Sequence, residues 1–269
     1  MTGQDHGART LTTEPSILDL LALSEVGPDL FRADLVYDNG GFLYGGQVAA
    51  QALRAAAHTV PADRLPHSVH CYFVRAGDPG RATEYRVERD RDGRSFSSRR
   101  VVATQDGRLI FTLSCSFAVP LTGPEQDVGG VPDAESPELS RPAELTHLFS
   151  LEGALPTQPF PDGAWPTRVW ARSTVALPDD PLLHACVLTY LSDLFTGTAG
   201  LDDVAELGTT SLDHAVWFHR AVRLDDWVLM DLVPHAGAAG RGWYTGTVHD
   251  ASGQLAASLA QEILFRRPR

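Results

Sequence analysis

Short runs of alternating apolar and polar residues fill most of the chain, and two largely apolar helical stretches interrupt them. A short helix is expected after Pro15, capped by Ser16 or Asp19, with Ile17, Leu18, Leu20, Leu21 and Leu23 as its apolar side. Residues 30–36 read as a strand, and Asp38-Asn39-Gly40-Gly41 as a turn. Residues 45–58 are helical, opened by Gly45-Gly46 and dense in alanine, with small or apolar side chains on nearly every side. That pattern marks a buried helix. Strands are then expected at 67–74, 84–91, 95–104 and 109–119. The Asp92-Gly93 and Asp106-Gly107 pairs between them are hairpin signals.

Prolines from Pro120 to Pro166 punctuate the next stretch, which predicts a surface connector with a short helix near 143–151. The earlier order then returns. A strand at 167–175 leads to an apolar helix at 181–195 and strands at 211–220, 227–233, 241–249 and 255–265. His67-Ser68-Val69-His70 parallels Ser211-Leu212-Asp213-His214, and Gly107-Arg108-Leu109 parallels Gly253-Gln254-Leu255, with offsets of 144 and 146. A long helix wrapped by an antiparallel sheet, twice in one chain, predicts an α+β double hotdog with the two sheets joined side by side. The expected organisation is a disordered tail (1–13), an N-terminal hotdog (14–120), a Pro-rich linker (121–166) and a C-terminal hotdog (167–269).

The run from Ser211 to Arg220 is strand-like, yet it carries a hydroxyl, a carboxylate and two imidazoles. Alternation places Leu212, His214, Val216 and Phe218 on one face, and Ser211, Asp213, Ala215, Trp217 and His219 on the other. Aligning the halves sets Ser211 against His67, Asp213 against Val69 and Gln261 against Cys115. The second half therefore holds polar groups that the first lacks. A purely structural repeat supplies no reason for that, so the chemistry is expected in the second half. Gly45-Gly46 is either a plain turn into its helix or a source of backbone N–H groups for an anion or a carbonyl oxygen.

Composition narrows the partners. The formal net charge of −12 over 269 residues argues against nucleic acid, whose phosphates need a basic footprint. A phosphorylated ligand would need a local arginine cluster, for which Arg99-Arg100 and Arg266-Arg267 are candidates. Cys71, Cys115 and Cys186 are widely spaced with no metal-ligand pattern, which predicts a reduced, cytoplasmic setting. The polar N-terminus has no apolar core of a secretory signal, and no run reaches the roughly 18 apolar residues of a membrane span.

Several segments together resemble the acyl-CoA thioesterase II (TesB-like) double-hotdog family. They are Gly45-Gly46-Gln47-Val48, His67 to Phe73, Arg91-Asp92-Gly93-Arg94-Ser95-Phe96 with Arg99-Arg100-Val101, Tyr190-Leu191-Ser192-Asp193, Ser211 to Arg220, and Ala257 to Glu262. The resemblance implies hydrolysis of a fatty acyl-CoA to free acid and CoA, without metal or cofactor. The family's Asp on the second-half helix, its Thr or Ser opening the next strand, and its Gln on the last strand fall on Asp193, Ser211 and Gln261.

A physical reason for that trio stands beside the resemblance. A thioester carbonyl is electrophilic, so an oriented water suffices once a carboxylate takes its proton. A hydroxyl and an amide can hold the water in attack geometry. Asp193 is the expected base, with Ser211 and Gln261 orienting water. A covalent role for Ser211 is the alternative, but no Gly-x-Ser-x-Gly elbow is present. His214 and His219 are expected to be structural. Small residues at 196–200 and 237–240 depart from the family and bear on acyl-chain preference. Two further readings compete: a non-catalytic acyl-CoA-binding protein and a hotdog enoyl-CoA hydratase, whose Asp/His pair in a glycine-rich motif is not found. A homo-oligomer, a dimer or larger, is expected from the way hotdog sheets pair.

Overall fold

The structure is a computed structural model. It describes residues 15–34, 41, 43–143, 145, 148–163, 165–194, 197–198, 201 and 207–266. The expected tail at 1–13, the turn at 38–40, most of 196–200 and Arg267 lie outside these residues.

The chain begins with α1 (Ile17–Leu20), which Ser16 caps by accepting from the Asp19 N–H, while the Asp19 carboxylate accepts from the Ser16 N–H in return. A hairpin of β1 (Ser24–Gly27) and β2 (Leu30–Ala33) leads to the buried helix α2 (Gly45–Ala57). β3 (Leu65–Phe73), β4 (Thr83–Asp92), β5 (Phe96–Gln105) and β6 (Arg108–Ala118) complete the first half. β7 (Arg141–Ala143), β8 (Leu151–Leu155) and β9 (Arg168–Ser173) precede the second helix, α3 (Pro181–Leu191). The last strands are β10 (Gly208–Ser211), β11 (Asp213–Phe218), β12 (Val228–Ala238), β13 (Arg241–Asp250) and β14 (Leu255–Arg266).

The fourteen strands of the described residues form one antiparallel sheet, ordered β1-β2-β4-β5-β6-β3-β11-β14-β13-β12-β9-β8-β7, with β10 also on β14. The order is nearly palindromic about the β3–β11 junction, where Val69 pairs with Val216 and Cys71 with His214. The two hotdogs thus join through their first long strands, and one apolar core runs through both halves.

The alanines of α2 let the sheet and α3 approach closely, since Ala49, Ala50, Ala52, Ala55 and Ala56 are all at most 1 % exposed. The one long polar side chain in its centre is satisfied. Gln51 donates to Leu20 O at 2.7 Å and accepts from the Tyr85 hydroxyl at 2.6 Å.

Three expectations change. Residues 121–166 are more than a connector, because β7 and β8 extend the sheet beyond β9. The helix near 143–151 is absent among the described residues. Leu148 N–H instead donates to Leu145 O, and β8 starts at Leu151. The second helix ends at Leu191, four residues short of the expected end.

Hairpin chemistry is conventional at Asp106-Gly107, with φ of 49° and 73°. The β12–β13 hairpin places Ala239 (φ 50°) before Gly240 (φ 74°) in the same left-handed pair. Alanine is poorly suited there, so Ala239→Asn is expected to stabilise the fold by about 0.5–1 kcal/mol. Chemical denaturation checks this, and an unchanged midpoint would contradict it.

Candidate active site

The register of β11 on β14 decides which side chains meet. From Ser211↔Ile263 to Ala215↔Ala260 the first strand advances four residues while β14 advances three. The extra residue is a β-bulge at Leu212, which splits the expected single strand into β10 and β11. A bulge reverses the inside–outside alternation beyond it. Ser211 and His214, placed on opposite faces by simple alternation, therefore both point toward the helices. Asp213 completes the bulge: its Oδ1 accepts from the Glu262 N–H at 2.8 Å, a donor that the disrupted ladder leaves over.

The repeat also needs a correction of one residue. Pro66↔Phe117 and Cys71↔Leu113 in the first half correspond to Ser211↔Ile263 and Val216↔Leu259 in the second. The offset is 145 on the first strand of each pair and 146 on the second. Ser211 thus matches Pro66 rather than His67, Asp213 matches Ser68, and His214 matches Val69. Gln261 keeps Cys115 as its counterpart. β3 has its own bulge between Pro66 and Ser68, at the position equivalent to Leu212, and offset 144 rests only on setting His70 against His214.

Asp193, Ser211 and Gln261 come together. Gln261 is 1 % exposed, and its Nε2 donates to Asp193 Oδ1 at 2.9 Å and to Ser211 Oγ at 2.8 Å. Asp193 is not on the helix, as expected, but in the turn just after the Ser192 C-cap of α3. It is half-buried, and the crowded surroundings push its pKa up from 3.8 to about 6. Hydrogen bonds from Gln261, the Gly46 N–H and Ser211 resist that rise without cancelling it.

The Gly46 contact shows what the glycines at the start of α2 do: one N–H there is already satisfied by the chain's own carboxylate. Glycine is required at position 45 by close approach, since a Cβ there would lie 2.6 Å from Asp193 Oδ2 and 2.6 Å from the Phe73 ring. The site therefore straddles the two halves, with a carboxylate from the second and a helix N-terminus from the first.

Two further neighbours complete the site: Tyr44, which sequence reasoning missed, and His214, which it read as structural. Tyr44, just before α2, donates its hydroxyl to Tyr190 O at 2.7 Å, and burial, followed by the Asp193 charge, raises its pKa. His214 is 1 % exposed, with Nε2 2.7 Å from Ser192 Oγ. Burial lowers its pKa to about 4, so the ring is neutral, and contact with Gln261 pulls weakly the other way. The correct repeat register would have exposed His214, because it sets an imidazole against Val69.

His219 is exposed and 2.9 Å from Ser258 Oγ, away from this cluster. The Arg99 candidate for phosphate binding is overturned. Arg99 is 1 % exposed and bonded to Thr59, Arg91 O, Ser98 O and Asp92, a set that leaves it no freedom for a ligand. Arg100 is paired with Asp90 and Glu88. Among the described residues no group of three His, Cys, Asp or Glu side chains could hold a metal ion.

Fold and site together define a double-hotdog protein with one polar centre set between its halves. A conserved protein with hot dog fold from Alicyclobacillus acidocaldarius matches 93 % of the chain and 98 % of its own at TM-score 0.78 and 19 % identity, a likeness of fold alone. Family models for the acyl-CoA thioesterase N-terminal domain and C-terminal domain match residues 34–118 and 120–265. Human acyl-coenzyme A thioesterase 8 is 34 % identical over 93 % of this chain and 88 % of its own. The acyl-CoA thioesterase II TesB2 from Mycobacterium marinum is 35 % identical, covering 94 % of this chain and 97 % of its own, at TM-score 0.80. The chain belongs to the acyl-CoA thioesterase family, a family of thioester hydrolases.

Proposed function

We propose that the protein hydrolyses fatty acyl-CoA thioesters by attack of a water held between Asp193 and Ser211. The observation that carries this reading is the Gln261 amide, which bridges the two at 2.9 and 2.8 Å. With its pKa near 6, Asp193 is mostly ionised at neutral pH yet basic enough to take a proton in the transition state. Ser211 gives its own proton toward Asp193 and accepts from Gln261, which leaves a second lone pair on Oγ. A water donating one O–H to Asp193 and the other to that lone pair turns its own lone pair outward, toward a thioester carbonyl. As the carbonyl oxygen gains charge, N–H groups of the first turn of α2 not used by Asp193 stabilise it, as the unpaired donors of a helix start can. Asp193 then returns the proton to the departing thiolate.

The test is thiol release from acyl-CoAs of graded chain length, by wild type and Ser211→Ala. Ser211→Ala is expected to lose about ten- to a hundredfold in kcat, as befits one lost orienting hydrogen bond. A trapped acyl group on Ser211 would overturn the water mechanism, and no release from any acyl-CoA would overturn the function.

The three cysteines are free and buried, which suits a reducing, cytoplasmic compartment. No helix among the described residues is long and apolar enough to cross a membrane. Tyr72, Trp217 and Trp243 stand 63 %, 37 % and 43 % exposed on the outer side of the sheet, away from the helices, which supports a homo-oligomer built on that face.

A further inference from the structure

His214 and Gln261 each present a buried polar atom, Nδ1 and Oε1, with no partner in full hydrogen-bond geometry among the described residues. The β11–β14 register, continued one step past Ala215↔Ala260, sets these two residues opposite each other on the inner face. Both replace apolar or thiol side chains of the first half, Val69 and Cys115, so the pair exists only where the site exists.

The proton on the imidazole decides whether this contact attracts or repels. Ser192 Oγ lies 2.7 Å from His214 Nε2 and 2.9 Å from Thr189 O, and it has a single proton to give. If that proton goes to Thr189 O, His214 must carry its own proton on Nε2. Its bare Nδ1 then confronts Gln261 Oε1, acceptor against acceptor, in a buried site. If Ser192 donates to Nε2 instead, the ring proton sits on Nδ1 and is given to Oε1. The Gln261 amide is then locked with its oxygen on His214 and both N–H bonds on Asp193 and Ser211. Rotating the amide by half a turn would aim Oε1 at the Asp193 carboxylate and Nε2 at an N–H.

We propose that His214 is a positioning residue, held by Ser192 as the neutral Nδ1–H tautomer, which fixes the orientation of the Gln261 amide and through it Asp193 and Ser211. This rests on the role given to Gln261 above, and its test separates the two.

Nitrogen-15 NMR of the wild-type protein, labelled at histidine, is expected to show His214 protonated at Nδ1. Protonation at Nε2 overturns the proposal whatever the activity. His214→Asn puts an N–H near the Nδ1 position and is expected to stay within about threefold of wild-type kcat. His214→Leu is expected to lose about tenfold or more in kcat with KM within twofold, the effect of one buried hydrogen bond on the transition state. Equal losses in the two variants, or a rise in KM with kcat unchanged, would also overturn it. Should His214→Leu fail to fold, the tautomer of the wild type and the His214→Asn rate still decide. If His214 is protonated at Nε2 while Gln261→Ala is inactive, the proposal for His214 fails and that for Gln261 stands.

Discussion

Asp193→Asn is expected to lower kcat by about 10²–10⁴-fold, the range that a positioned general base contributes. In the wild type, kcat/KM should rise about tenfold per pH unit up to roughly pH 6 and level off above it, following the raised pKa of the free carboxyl. The variant should show no such limb. The same shift carries a stability consequence of definite sign. The folded-state pKa lies above the ordinary 3.8, so the protonated carboxyl is the form that the fold favours. That contribution is complete below about pH 3.8 and lost as pH rises through about 6. At pH 8 the ionised group therefore costs the fold on the order of 2 kcal/mol, after allowance for its partial exposure. Asparagine cannot ionise, although its amide turns one acceptor at the Gly46 N–H into a donor. The difference in Tm between Asp193→Asn and wild type should therefore grow in favour of the variant from pH 5 to pH 8. A difference independent of pH would show that Asp193 does not titrate near 6, and a variant with unchanged kcat would remove it from the chemistry.

Most of this architecture was legible in the sequence because the repeat supplies a second copy against which to read the first. β3 to β6 and β11 to β14 follow from alternation and from Asp-Gly turns, and α2 announces itself by alanines that only a closely wrapped helix needs. The meeting of Asp193, Ser211 and Gln261 came from resemblance, since nothing in periodicity brings residue 193 next to 211 and 261. What stayed hidden follows from one extra residue. The bulge at Leu212 turns Ser211 and His214 to the same side, and a period-two reading cannot see it. The matching bulge after Pro66 gives no warning either, because two strands with the same extra residue show no gap when one is compared with the other. Arg99 misled for another reason. Surface and buried arginines look alike in sequence, and only the Thr59 and Asp92 contacts reveal which this one is. β7 and β8 escaped because Pro142 and the prolines around them read as connector, yet an edge strand tolerates proline.

Gln261→Glu is expected to change the shape of the pH profile as well as its height. It would set a second carboxyl where Nε2 now lies 2.9 Å from Asp193 Oδ1, and two carboxyls that close do not both ionise at neutral pH. The pair would titrate as a unit, with one apparent pKa low and one pushed well up. Between the two values Asp193 can be the carboxylate while the introduced carboxyl keeps a proton, whose O–H replaces one of the two amide donors. Above the upper value both are charged, the introduced group has nothing to donate, and Ser211 loses its partner at 2.8 Å. The wild-type plateau should therefore become a bell, with kcat at pH 8 lowered by about a hundredfold, as for removal of a hydrogen bond to a charged group. Gln261→Ala, with no titratable replacement, should lose a comparable amount without the alkaline fall. Measuring kcat from pH 5 to pH 9 for both variants separates the cases. A Gln261→Glu profile that keeps the wild-type plateau would mean that residue 261 does not share a proton with the base, and the bridging role of the amide would fall with it.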